Sequence, residues 1–330
     1  MFLKLFRTQY IFQIIIVLLI ALVLWFEALI KPLPMPAGNP IIPMYNLIFF
    51  LLGNINTLSV IIAFLFVIYE ALYVNKILSD NKLIPRNTFL PAFVFILFMS
   101  YSTTNLSLNP MILSLAFIIP AFNSILNAYD KSDAFTEIFN SGILIGIASF
   151  FYFPASGFFI VIWTGLYVFR IFVWRHWIIG ISGLILPYLF LAVYYFVNDQ
   201  LLAMIKVYAD FYTHNIGLNF LFTDKDNTYV YVLAVVNTLV VFISFSNIIS
   251  HLNEKVITQR KKITLILDLL VITLFTFFYR DNFLYIQKMF FAFPLTLIVA
   301  LFFSNIKRNF INELIFTVLV VVILAGRVFM

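Results

Sequence analysis

The stretch Ile11-Phe-Gln-Ile-Ile-Ile-Val-Leu-Leu-Ile-Ala-Leu-Val-Leu-Trp-Phe-Glu-Ala-Leu29 decides the fold. As a helix, it is long enough to cross a hydrocarbon layer of about 30 Å, because each residue adds about 1.5 Å. Lys4 and Arg7 precede it, as basic residues precede a secretory signal. The apolar run exceeds the roughly 7–15 residues of a signal core, however, and Trp25, Phe26 and Glu27 stand where small cleavage-site residues belong. It reads as an uncleaved first transmembrane helix. The segment that follows, Lys31-Pro-Leu-Pro-Met-Pro36 with Pro40 and Pro43, reads as a loop, since proline removes backbone donors and breaks helices.

The rest of the chain repeats this pattern. Of 330 residues, 64% are hydrophobic and 10% charged, against about 45–50% and 25% in soluble domains. The mean hydropathy is +1.07. Such a composition excludes a water-soluble enzyme, a nucleic-acid-binding module and a disordered chain. The absence of cysteine excludes a disulfide scaffold and thiolate chemistry. Apolar runs bounded by polar residues predict ten further spans: 55–75, 88–102, 110–128, 139–153, 157–173, 177–197, 228–248, 263–279, 285–304 and 311–326. The third and fifth of the eleven are short; tilting, a kink at Pro91 or shielding by neighbours would accommodate them. The expected fold is therefore all-α, a polytopic transmembrane helical bundle of about eleven spans in a single integral membrane domain, residues 1–330.

Charge sets the orientation. With the N-terminus inside, 14 of the 20 Lys and Arg residues fall in cytoplasmic segments, and only Lys31, Lys206, Lys225, Arg280, Lys288 and Arg327 fall outside. The positive-inside rule thus predicts a cytoplasmic N-terminus and a C-terminus on the opposite side of the membrane. Residues 199–214 carry an apolar stripe at helical spacing (Leu201, Leu202, Ile205, Tyr208, Tyr212), with Lys206 and Asp210 on another face. This predicts a helix lying on the outer surface, in the loop between the seventh and eighth spans.

Charges at membrane depth are costly, which makes them functional candidates. Glu70, Asp268 and Glu313 lie within about two turns of cytoplasmic helix ends. They are expected to reach headgroups or to pair with Lys76, with Arg260–Lys262 or with Lys307–Arg308. The outer rim differs. Glu27, Lys31, Arg280, Asp281, Lys288 and Arg327 all sit at membrane level, on elements able to converge. One reading is a salt-bridge network of Arg280, Asp281 and Glu27 plus interfacial anchors. The other is a lipid-phosphate site, in which Arg280, Lys288, Arg327 and Lys31 hold the phosphate and a carboxylate, Glu27 or Asp281, does proton chemistry. His214, at the end of the surface helix, is within reach of such a site. Neither metal-ligand spacing nor a phosphate-binding glycine loop is present, and no cofactor is expected.

The layout resembles the GT-C superfamily of membrane glycosyltransferases, which use polyprenyl-phosphate-linked sugars. The likeness rests on the inside N-terminus, on Glu27 ahead of the Lys31–Pro43 loop, on the short hairpins between residues 88 and 173, and on the outer helix at Asp199–His214. The chain also resembles an uncharacterised family of multi-pass bacterial inner-membrane proteins, which implies residence in the inner membrane and a periplasmic C-terminus. The GT-C resemblance implies a transferase on the outer face, with Glu27 as base or acceptor-positioning group. Arg280 and Lys288, with Arg327, would hold the departing lipid phosphate. The expected partners are membrane lipids, a polyprenyl phosphate among them, and other membrane proteins; nucleic acid is not one. The alternatives are a non-catalytic membrane subunit of an envelope or export complex and, with less support, a secondary transporter. Mid-span polar groups such as Asn123, Asn237 and Thr164 are mostly neutral, and that argues against the transporter.

Overall fold

The computed structural model describes the chain except for residues 1–10, 39, 85–87, 103–105, 130, 132, 215–227, 277–287, 306–309 and 330. Side chains at 11–12, 211–214, 228–234, 275, 311 and 326–329 are also outside the description. The described residues form α-helices and short 3-10 turns, with no strand among them. The α-helices are α1 (Ile11–Ile30), α2 (Pro43–Leu52), α3 (Asn56–Asp80), α4 (Leu90–Met99), α5 (Pro110–Ala128), α6 (Phe135–Phe151), α7 (Phe159–Phe169), α8 (Trp174–Val197), α9 (Leu201–His214), α10 (Thr228–Ser250), α11 (Ile257–Phe275), α12 (Ala292–Asn305) and α13 (Phe310–Phe329). Among the described residues, five helical segments are long and apolar enough to cross a membrane: Gln13–Ile30, Asn56–Asp80, Pro110–Ala128, Trp174–Val197 and Lys288–Asn305.

The centre of the bundle is α4. All ten of its residues are buried, because α1, α3, α12 and α13 surround it. At about 1.5 Å per residue it is only some 15 Å long. Its neighbours shield this short apolar segment along its whole length. At the periphery, α8 carries an exposed apolar flank that includes Ile181, Ile185, Leu189 and Val193. Its other face is clamped to α6 through glycine. A Cβ on Gly142 would lie 2.5 Å from the Gly180 carbonyl oxygen, and one on Gly183 would lie 2.4 Å from that of Phe139. Only hydrogen at these positions lets the two backbones approach so closely, as in small-xxx-small membrane packing. Pro187 lies inside α8 and removes the hydrogen bond to the Gly183 carbonyl, within the same close contact.

The ends of the bundle have different chemistry. At one end, Trp25 Nε1 donates to Ser100 Oγ at 3.0 Å, and Tyr45 donates its hydroxyl to the Pro36 carbonyl at 2.7 Å. Asn109 caps α5, accepting from the backbone N–H groups of Met111 at 3.1 Å and Ile112 at 3.0 Å. The same side chain reaches Met289 Sδ at 3.4 Å, tying α5 to the 3-10 turn Lys288–Phe291. Helix α9 closes this end: Tyr208 donates to the Ile41 carbonyl at 3.2 Å and meets the ring of Phe153 edge-on. Two residues of the expected stripe, Leu201 and Tyr208, are half-buried there. Met204, Val207 and Tyr208 turn inward, whereas Leu202 and Ile205 are exposed. At the opposite end, Lys262 donates to Asn81 Oδ1 at 3.0 Å, and Gln259 Nε2 donates to the Lys82 carbonyl at 2.7 Å.

Pro43, expected in the proline-rich loop, instead opens a helix, Pro43–Leu52. Pro43 stands at the first helical position, where its missing N–H costs nothing.

Candidate functional site

Glu27 lies near the end of α1, and the helix wheel decides its surroundings. Val17, Ala21, Leu24, Trp25 and Ala28 face the bundle, while Val23, Phe26 and Ile30 are exposed. Glu27 is exposed beside the latter set, and among the described residues no ion pair reaches its carboxylate. Lys31, one turn on, is exposed as well. Lys288 is half-buried at the start of the 3-10 turn beside buried Met289. Arg280 and Asp281 lie outside the described residues. Arg327 and His214 are carried on α13 and α9, and their side chains are likewise outside the description. Neither of the two cavities below is lined by Glu27, Lys31 or Lys288.

The larger cavity is a groove of about 740 Å³ between α2, α6 and α8, within the range of about 300–1,000 Å³ typical of ligand sites. Pro43, Leu47, Ile147, Leu186 and Phe190 give it apolar walls. Asn46, Tyr194 and Tyr195 supply its polar groups. It opens sideways, since Leu47 and Phe190 are themselves exposed. From Pro187 to Tyr195 it follows α8 for roughly 12 Å, close to the depth of one leaflet. It belongs to the end closed by Trp25, Tyr45 and α9. Nearby, Ser149 Oγ and the Tyr188 hydroxyl lie 2.6 Å apart, joining α6 to α8.

A smaller cavity of about 440 Å³ opens at the other end, between α10, α11 and α12. Its rim includes Asn247, Asn305, Lys255 and His251, and its floor includes Ile263 and Leu301. His251 Nδ1 lies 3.1 Å from Glu254 Oε1, both side chains being exposed. His176 is buried and stacked on Phe135 with centroids 4.2 Å apart.

Two features escaped the sequence reading. Glu70 reaches neither headgroups nor Lys76. It is fully buried, and neither carboxylate oxygen has a hydrogen-bond partner. The signal was there: Ser59, Ala63, Val67, Val74 and Ile77 share its helical stripe and are all buried, while the bulky Leu65, Tyr69 and Leu72 point outward. The second is the clustering of cations at the Lys262 end. Lys261 Nζ sits 4.9 Å above the Tyr129 ring and 3.5 Å from the Phe169 carbonyl oxygen. Desolvation, together with the neighbouring guanidinium groups of Arg170 and Arg260, holds its ammonium below the ordinary lysine range. Lys261 precedes the apolar run that begins at Ile263.

No family model, no curated protein and no solved structure matches this chain.

Proposed function

We propose that this chain is a multi-pass inner-membrane protein that receives the hydrocarbon chain of a polyprenyl-phosphate-linked lipid in its outer leaflet, in the manner of GT-C-like transferases. The groove between α2, α6 and α8 carries the reading: it is apolar, sized for a ligand, open on a flank exposed to lipid and edged by two tyrosines. The topology is part of the same proposal. Among the described residues, eleven of the thirteen α-helices overlap the eleven apolar segments of the sequence, and the two left over, α2 and α9, are the short helix of the groove and the outer helix. The segments meeting at the Trp25 end are those the charge distribution assigns outside, and those meeting at the Lys262 end are those it assigns to the cytoplasm. Both pairings support a cytoplasmic N-terminus and an odd number of crossings.

On the transferase reading, Glu27 or Asp281 takes the acceptor proton, while Arg280, Lys288, Arg327 and Lys31 hold the phosphate. The exposure of Glu27 on the outward face of α1 favours a second reading, a non-catalytic subunit that binds the same lipid beside an enzyme. Purified protein in nanodiscs containing a photoreactive polyprenyl phosphate tests both. Crosslinks are expected on α2, α6 and α8, and Leu186→Trp, which fills the groove, is expected to lower lipid retention about tenfold, or about 1.4 kcal/mol. Undiminished retention in Leu186→Trp removes the groove from the proposal. If Glu27→Gln abolishes sugar transfer while insertion persists, the transferase reading stands. If transfer continues, the base assignment passes from Glu27 to Asp281; if the wild-type chain retains the lipid but transfers no sugar, the subunit reading takes its place.

A further inference from the structure

Three helices end or begin at the Lys262 end with cations at their termini. α7 terminates at Phe169, and Arg170 follows in the left-handed region, φ 61°. There the Ile171 N–H reaches back to the Leu166 carbonyl at 2.9 Å and the Arg170 N–H to that of Tyr167 at 3.1 Å, a helix-closing turn whose left-handed position usually belongs to glycine. α3 closes in the same way, with Lys82 at φ 55°. α11 brings Arg260, Lys261 and Lys262 in its first two turns, where the helix macrodipole favours anions over cations.

These side chains converge. The ammonium groups of Lys261 and Lys262 lie 4.9 and 5.9 Å from the Tyr129 ring centroid, and Arg170 and Arg260 are close enough to disfavour the charge on Lys261. Lys262 is buried, 4% exposed, and donates to the neutral side chain of Asn81. Among the described residues, no carboxylate forms an ion pair with Arg170, Arg260 or Lys261. Like charges crowded together raise the energy of the folded chain, and an anion from outside would lower it.

We propose that Arg170, Arg260 and Lys261, backed by Lys262 and floored by Tyr129, form a binding site for a phosphate group, filled in the membrane by the headgroup of an anionic phospholipid. A guanidinium fork suits phosphate oxygens, and basic pockets between transmembrane helices on the cytoplasmic side hold such headgroups. The site is at the opposite end from the groove and does not depend on the transferase reading.

The test is native mass spectrometry of the full chain released from nanodiscs of phosphatidylglycerol and phosphatidylcholine. The wild type is expected to retain phosphatidylglycerol selectively. The pair Arg170→Asn with Lys261→Gln should cut that retention about thirtyfold, on the order of 1 kcal/mol per cation lost; asparagine tolerates the left-handed backbone. Arg260→Gln alone should act in the same direction by about fivefold. The control pair Lys76→Gln with Lys255→Gln removes equal charge from the same end and should change retention less than twofold. Equal losses in both pairs would assign the effect to the general surface potential and overturn the proposal, as would retention unchanged in every variant. Inorganic phosphate separates the sources: displacement of the lipid marks a site that reads phosphate alone, and a lipid that resists displacement marks a site that also holds the acyl chains.

Discussion

The two ends of this bundle are closed by opposite means. At the Trp25 end, neutral donors and acceptors meet in pairs: indole to hydroxyl, phenol to carbonyl, amide to backbone N–H. At the Lys262 end, the ammonium groups of Lys261 and Lys262 gather over the Tyr129 ring. The first arrangement pairs donor with acceptor. The second brings like charges together. Buried neutral hydrogen bonds stabilise a fold when complete and cost most when one partner is removed. Exposed like charges do the reverse, so the two ends should answer substitution with opposite signs.

The largest effect is expected at the waist between them. Gly183→Leu drives a side chain into the Phe139 carbonyl, 2.4 Å from where its Cβ would sit. Separating α6 from α8 should destabilise the protein by about 3 kcal/mol, the upper end for overpacking. Thermal unfolding in detergent reads this directly, and a wild-type midpoint would mean that the helices are not clamped there. Next comes the neutral end. Asn109→Ala removes the α5 cap and frees two buried N–H groups, a loss of about 1–2 kcal/mol. A variant as stable as the parent would break the claim that this end is held by its hydrogen bonds. The smallest effect carries the opposite sign: Lys261→Met should leave stability unchanged or raise it by a few tenths of a kcal/mol, because the repulsion it relieves is screened by solvent. A marked loss of stability there would show Lys261 to be a structural capping group.

Much of this was written in the residues one at a time. Each apolar run became a helix because about twenty hydrophobic residues cannot be covered by a soluble core. The Asn109 cap of α5 was not read from the sequence, although Asn directly ahead of Pro110 is its local signature. Lys and Arg separated by segment, so the grouping of chain ends could be expected before any contact was known. Glu70 was legible only in part. Its distance from the helix end suggested a snorkelling acid, and the small residues on its stripe pointed inward; proximity to an end does not decide which way a side chain faces. The groove was not legible, since its walls come from residues 43–47, 143–150 and 186–195, which no local pattern links.

Composition and periodicity alone determined that the chain is helical, apolar and polarised in charge, because those properties follow from hydration and sum along the sequence. Packing decided the rest: that α4 is buried while α8 is not, that Glu27 turns outward and Glu70 inward, and that cations from α7 and α11 share one place. Helix faces are chosen by which neighbours fill them, and that choice exists only when the whole bundle closes.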